Sequence, residues 1–171
     1  MGSGFSNVID FTLIYNKHKK QLYNYVCKMA GERNSAEDII QNVFMKLYEN
    51  LENIRKTQSV VSWLFITARN EVYGGWRKKE IKKEIYFEED KEYKSGDDLA
   101  LDLEGVELRE IIKTEINNLS TDLKEAFILR EYSGLSYKEI SDILKVEESQ
   151  VKGRLFRARQ KLIDRVSKFV R

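Results

Sequence analysis

Proline is absent from the chain, although average usage of about 5% would place about eight or nine in 171 residues. With no ring to interrupt a helix, a sequence rich in lysine, glutamate and isoleucine reads as mostly helical. Cysteine and histidine occur once each, as Cys27 and His18. One thiol excludes an internal disulfide framework and a cysteine-cluster zinc site. One imidazole argues against a histidine-based metal centre and against Ser-His or Cys-His catalysis. Both residues fall in an apolar helical pattern and read as packing groups. No metal site and no cofactor is implied. Neither a phosphate-binding glycine loop nor convergent catalytic residues support an enzyme. No apolar run approaches the roughly 20 residues of a membrane helix, so no membrane insertion is expected. The opening MGSGFSN lacks a basic segment followed by an apolar one, and no signal peptide is expected. These absences point to a reducing, intracellular compartment.

Hydrophobic residues make up 42% of the sequence and charged residues 34%, a balance that is neither disordered nor membrane-like. The net charge of +2 conceals a division along the chain. Residues 1–79 carry 12 basic and 7 acidic side chains, residues 80–107 carry 4 and 11, and residues 108–171 carry 14 and 10. Two basic modules thus flank an acidic stretch. Over 152–171, eight cations are set against Asp164 alone. A basic helix at one end of a small domain is the electrostatic footprint of a phosphate binder, though a solvated helical face carries the same charges.

Periodicity sketches the elements. Phe11, Ile14, His18, Leu22, Tyr25, Val26 and Met29 recur at helical spacing over 8–30, and Gly31 supplies a stop. Ser35-Ala-Glu-Asp38 reads as a helix start. Ile39, Ile40, Val43, Phe44, Leu47, Tyr48 and Leu51 then form an apolar face. At about 100° per residue the opposite face carries Asp38, Gln41, Asn42, Met45 and Glu49. Met45 there is either an isolated exposed apolar residue or part of a partner's footprint. Residues 52–62 carry loop chemistry, with Val60-Val61 as a candidate short strand. A helix is expected from Trp63 to Lys79. Its aromatic residues interleave with Arg, Lys and Asn, which suits nucleic acid: rings stack on unpaired bases while cations hold phosphates. A basic amphipathic helix with core tryptophans fits the same residues. Gly74-Gly75, each costing about 1 kcal/mol relative to alanine, predicts a kink or an early end. The acidic stretch 80–107, broken by Ser95-Gly96-Asp97-Asp98, reads as a linker.

A helix is expected over 108–118, and Ser120-Thr-Asp122 caps the next. The most specific pattern follows. Ser136-Tyr-Lys-Glu139 is a capping box. Ile140, Ile143 and Leu144 face inward, Lys145-Val146-Glu147 makes a tight turn, and Val151, Leu155, Ala158 and Leu162 carry a second helix. This fits a helix-turn-helix, whose second helix lies in the DNA major groove. An αα-corner with no DNA role has the same outline, but the cations gathered on this helix favour DNA.

Three segments occur in order: AEDIIQNVFMKLYENL (36–51), SWLFITARN (62–70) and SGLSYKEISDILKVEESQVKGRLFRARQKL (133–162). Together they resemble the bacterial RNA polymerase sigma factors, in the small extracytoplasmic-function (ECF) branch that keeps two folded domains. The resemblance covers nearly the whole chain. It implies core RNA polymerase and promoter DNA as partners, an anti-sigma protein as a further one, and work in the bacterial cytoplasm. By this resemblance Asp38, Gln41, Asn42, Met45 and Glu49 dock on the clamp helices of the largest polymerase subunit. The loop 55–62 and helix 63–78 match the segment that opens the promoter and captures non-template −10 bases. That assigns Arg55, Lys56, Gln58, Ser59, Trp63, Asn70, Tyr73, Trp76, Arg77 and Lys78 to the −10 surface. The second helix of the helix-turn-helix matches the −35 reader, with Ser149, Gln150, Lys152, Gly153, Arg154, Phe156, Arg157 and Arg159 as its candidates. The chain departs from the family at several places. Asn42 stands where Glu is common, Gly74 where Asp is common and Gly153 where Ser is common. Glu147 and Ser149 replace Pro and Gly, and Leu119-Ser120 replaces Leu-Pro. The acidic stretch matches a linker that in the family runs through the cationic cleft of the polymerase.

The expectation is an all-α protein of two small helical domains joined by an acidic linker, the C-terminal domain a helix-turn-helix. Residues 1–79 are expected to bind core polymerase and the −10 element, residues 80–107 to link, and residues 108–171 to recognise −35. Such a protein performs no chemistry itself; it lends promoter recognition and strand opening to the polymerase. The rival is a stand-alone helix-turn-helix regulator whose residues 1–79 sense a signal or dimerise. Asp38-Ile-Ile-Gln41 and Ser62-Trp63-Leu64 ahead of the basic helix favour the sigma reading.

Overall fold

The structure, a computed structural model, describes residues 3–86 and 103–169. In the N-terminal part, α1 spans Ser3–Ala30, α2 Arg33–Thr57 and α3 Val60–Tyr86. In the C-terminal part, α4 spans Leu103–Asn117 and α5 Thr121–Phe127. A π-helical turn, Ile128–Tyr132, leads on to α6 (Tyr137–Leu144) and α7 (Glu148–Val166). No strand occurs among the described residues, so the all-α expectation holds. The chain forms two compact units. One holds α1 to α3; the other holds α4, α5, the π turn, α7 and most of α6.

In the first unit each helix packs on the other two. The core is drawn from Leu22, Tyr25 and Val26 of α1, Val43, Phe44, Leu47 and Leu51 of α2, and Leu64, Phe65, Ala68 and Val72 of α3. Removing such side chains from water is worth about 1.5–3 kcal/mol for each of the larger ones. Tyr25 and Phe65 meet edge-on, 5.7 Å between ring centroids. Three ion pairs tie the helices at the surface: Arg55–Asp10 between α1 and α2, and Lys46–Glu71 and Lys79–Glu32 between α2 and α3. Partly exposed pairs like these contribute about 0–1 kcal/mol, so they set register more than stability.

Several local expectations are corrected. Gly31, at φ +77°, does end α1. However, α2 starts with Glu32 rather than Ser35 in the cap position. The Glu32 carboxylate accepts hydrogen bonds from Ser35 at 3.1 Å and Lys79 at 2.8 Å. Residues 52–57 continue α2 instead of forming a loop, because Ile54 keeps the apolar period and is only 3% exposed. The connection shrinks to Gln58-Ser59, and Val60-Val61 are the first turn of α3, not a strand. Gly74-Gly75 neither end α3 nor take positive φ. Buried Val72 before them and the Lys79–Glu32 pair after them hold the helix through that point. Helix also enters both ends of the stretch read as linker, to Tyr86 on one side and from Leu103 on the other. Residues 87–102, the middle of that stretch, lie outside the described residues.

In the second unit α7 packs on α4 and α5. Leu119, Leu123 and Ala158 form a core cluster, with Phe127 and Leu162 packed against it. Ser120 occupies the cap position of α5, but its hydroxyl donates to the Asp122 carboxylate at 2.7 Å. The π turn, unforeseen from the sequence, is closed by the Ser133 N–H on the Ile128 carbonyl at 3.0 Å. Gly134, at φ +68°, then redirects the chain toward α6.

Candidate nucleic-acid interface

The corner between α6 and α7 follows the capping chemistry of its residues. The Ser136 hydroxyl accepts the Glu139 N–H at 3.2 Å, and the Glu139 carboxylate accepts the Ser136 N–H at 2.8 Å. This is the predicted capping box. The helix stops at Lys145, the one non-glycine residue with positive φ among the described residues (φ 57°, ψ 44°). The N–H groups of Lys145 and Val146 both donate to the Ser141 carbonyl, and the Ser141 hydroxyl donates to the Val146 carbonyl at 2.7 Å. A serine at 141 therefore locks the turn from both directions. The Glu147 N–H donates to the Gln150 side chain at 3.1 Å as α7 begins.

Val151, Leu155 and Ala158 define the buried stripe of α7. At about 100° per residue, Ser149, Lys152, Gly153, Phe156 and Arg157 occupy the outer half of the helix. Phe156 is 64% exposed, unusual for a ring that size, and Lys152 and Arg157 are also open. Arg154 and Arg159 fall instead on the two flanks of the buried stripe. Arg154 reaches Asp122 of α5 at 3.9 Å, and the Arg159 Nε donates to Glu131 of the π turn at 3.2 Å. The eight candidates thus divide: five face outward, two are paired with carboxylates of the same unit, and Gln150 serves the cap. Glu131 raises the Arg159 pKa further, with a smaller contribution from Tyr137. The Ser120 hydroxyl, and to a lesser degree the Arg154 charge, hold the Asp122 carboxyl below its ordinary range.

On α3 the buried stripe is Leu64, Phe65, Ala68 and Val72. Trp63, Asn70, Tyr73 and Arg77 lie on the opposite side within an arc of about 80°, a face about 21 Å long. Trp76 flanks it on one side and Lys78 on the other. Both tryptophans are half-buried, so neither is a fully enclosed core ring. Arg69, absent from the sequence-derived set, belongs here: its guanidinium lies 4.6 Å from the Tyr73 ring centroid, which is 4.8 Å from that of Trp76. The spacing of 69, 73 and 76 carried that signal, since i, i+4 and i+7 share a side. Lys56, Gln58 and Ser59 are exposed at the α2–α3 connection, where the Ser59 carbonyl accepts the Trp63 N–H at 3.0 Å. Arg55 is engaged with Asp10.

On α2, Asp38, Gln41, Asn42, Met45 and Glu49 fall within an arc of about 100° opposite the buried stripe. Met45 is 55% exposed, and Asn42 alone of the five is half-buried. Tyr48, expected on the apolar face, is 54% exposed beside this arc, its ring edge-on to Phe11 at 5.3 Å. No cluster of metal-ligating side chains occurs among the described residues, and no described helix is long and apolar enough to cross a membrane.

The family description Sigma-70 region 2 matches residues 14–81, across α1 to α3, and Sigma-70, region 4 matches residues 109–162, from α4 into α7. The ECF RNA polymerase sigma factor SigM of Bacillus subtilis is 31% identical over 158 residues, 87% of this chain and 90% of that protein. The ECF RNA polymerase sigma-E factor of Haemophilus influenzae is 28% identical over 166 residues, 91% of this chain and 87% of that protein. Among solved structures, the sigma factor RpoE of Bartonella quintana, in complex with the anti-sigma factor NepR, superimposes with a TM-score of 0.74 and 27% identity. That match covers 95% of this chain and 99% of RpoE.

Proposed function

The chain belongs to the ECF branch of the bacterial RNA polymerase sigma factors, and from that membership we propose which of its faces performs each step. As a sigma factor it binds core RNA polymerase and directs promoter-specific initiation, recognising −35 and −10 elements and opening the DNA. We assign core binding and −10 recognition to residues 1–79, the joining role to 80–107, and −35 recognition to 108–171, with α3 and α4 extending into the join. The reading includes no bond chemistry by the chain itself, and it places the work in the bacterial cytoplasm, where polymerase and promoter meet. The anti-sigma factor bound to RpoE of Bartonella quintana supports a partner of that kind here.

In this reading the outward arc of α2 docks on the polymerase. The α3 face then receives unpaired −10 bases: Trp76, Tyr73 and Trp63 stack, while Arg77 and Lys78 hold phosphates. The outer half of α7 enters the major groove at −35. There Lys152 meets base acceptors, Phe156 suits a thymine methyl, and Arg157 holds backbone or guanine. The observation that carries the reading is that the α2 set, and most of the α3 and α7 sets, lie on the side of their helices away from the buried stripe. The test is assembly of holoenzyme with Gln41→Ala combined with Met45→Glu, which changes only the outward arc of α2. We expect core binding to weaken at least about tenfold, an effect of about 1.4 kcal/mol or more, with helicity and melting temperature nearly unchanged. Unaltered assembly would remove the docking assignment, and loss of folding would mean that the buried face is misplaced.

A further inference from the structure

Tyr137, the first residue of α6, receives two cations at its ring, while its side chain also accepts a hydrogen bond from Arg159. The Arg130 guanidinium carbon lies 4.8 Å from its ring centroid, and the Lys152 ammonium of α7 lies 5.6 Å from it. The ring is half-buried and flanked by the capping box, which limits its motion. Arg130 is fixed in turn: it stands in the π turn and donates to the Leu135 carbonyl at 2.7 Å. The next residue of that turn, Glu131, holds Arg159. One corner of the helix-turn-helix therefore gathers α6, α7 and the π turn around a single aromatic ring. Lysine is a point charge on a long flexible stem, and a base contact requires that stem to be ordered. A ring that attracts the ammonium performs part of that ordering before DNA arrives.

We propose that Tyr137 is a positioning residue of the −35 reader: its ring, backed by Arg130, holds the Lys152 ammonium ready for the groove. Its influence on base preference passes through Lys152. The inference rests on the reading of α7 as the −35 helix.

The experiment uses full-length protein in reconstituted holoenzyme with a promoter library randomised at −35. Position 137 carries Tyr, Phe, Leu or a ring-fluorinated phenylalanine, each with Lys152 and with Lys152→Ala. Tyr137→Phe keeps the ring, gives up only the hydroxyl's bond to Arg159, and is expected to keep the preference. Tyr137→Leu should lower discrimination at the Lys152-dependent position about two- to fivefold, the range of an exposed cation–π contact. The salt dependence of binding to a scrambled promoter should not move. The fluorinated ring keeps its shape but loses its negative face, so it should follow leucine, and it decides the matter if Tyr137→Leu fails to fold. In the Lys152→Ala background none of these changes should have a further effect. Equal effects in both backgrounds overturn the proposal. So does a preference that responds to Lys152→Ala but not to the loss of the ring's negative face. A preference untouched by Lys152→Ala overturns the proposal together with the base-reading role of Lys152, while the polymerase-docking test stands apart from both.

Discussion

Lys145 holds a backbone conformation in which its own Cβ crowds the following carbonyl. Glycine carries no such crowding, so Lys145→Gly should raise stability by up to about 1 kcal/mol after its extra unfolded-state freedom is subtracted. Urea unfolding measures this; a loss of stability would show that the lysine side chain supports the turn. Glu32 makes a second single-residue case. Hydrogen bonds from Lys79 and then Ser35 hold its carboxyl below the ordinary 4.5. The folded chain therefore binds this proton less readily than the unfolded chain. The stabilisation is complete above about pH 4.5 and is lost as pH falls through the depressed folded value. Glu32→Gln should lower the melting temperature at neutral pH and flatten its fall in acid. Parallel pH profiles for the two proteins would show that this pair does not matter to stability.

At the scale of the element, α3 joins scaffold and site: one side is core and the other presents rings and cations. Trp76→Ala should reduce open-complex formation more than closed-complex binding, since stacking is worth about 1–3 kcal/mol per unpaired base. Permanganate reactivity of thymines on a matched promoter reports it, and equal reactivity for variant and wild type would assign Trp76 to structure. The periodicity of Leu64, Phe65, Ala68 and Val72 made this two-sidedness legible in the sequence. The ends of α2 and α3 were less legible. The polar run Glu52–Thr57 looks like a loop, and only Ile54 betrays that it continues a helix. Gly74-Gly75 misled in the same way, because local propensity was outweighed by what the helix packs and pairs with on either side. The capping box at Ser136 and the turn at Lys145 were legible because their chemistry is entirely local.

Across the whole molecule, the absence of proline indicated an all-α chain, and the two basic modules fitted either phosphate binding or solvated helical faces. Periodicity could say which residues point outward, but not which outward cations are already engaged. Arg154 and Arg159 find carboxylates on α5 and the π turn, tens of residues away, and no spacing rule announces such partners. Arg157, on the outer half of α7, is the better probe of the electrostatic contribution. Arg157→Ala should weaken promoter binding and lower the salt slope by about one unit. Core polymerase binding in the absence of DNA should be unchanged if docking uses the outward arc of α2, as proposed. A slope that stays at the wild-type value would move Arg157 off the phosphates.

The π turn has a consequence for chain length. Its hydrogen bond spans five residues, from the Ile128 carbonyl to the Ser133 N–H, so the turn holds slack that an ordinary helix lacks. Loss of one residue there could be taken up by relaxation to α-helix, leaving Leu123 and Ala126 in their places. Side chains beyond the deletion would keep nearly the same bearing relative to α5, because four α-helical residues turn the chain through about the same angle as five in a π turn. The cost falls on the residue removed: without Arg130 the Tyr137 ring loses its guanidinium, and without Glu131 Arg159 loses its carboxylate. Such a deletion would thus yield a chain that still folds and keeps α7 in register, with one tie of its corner gone.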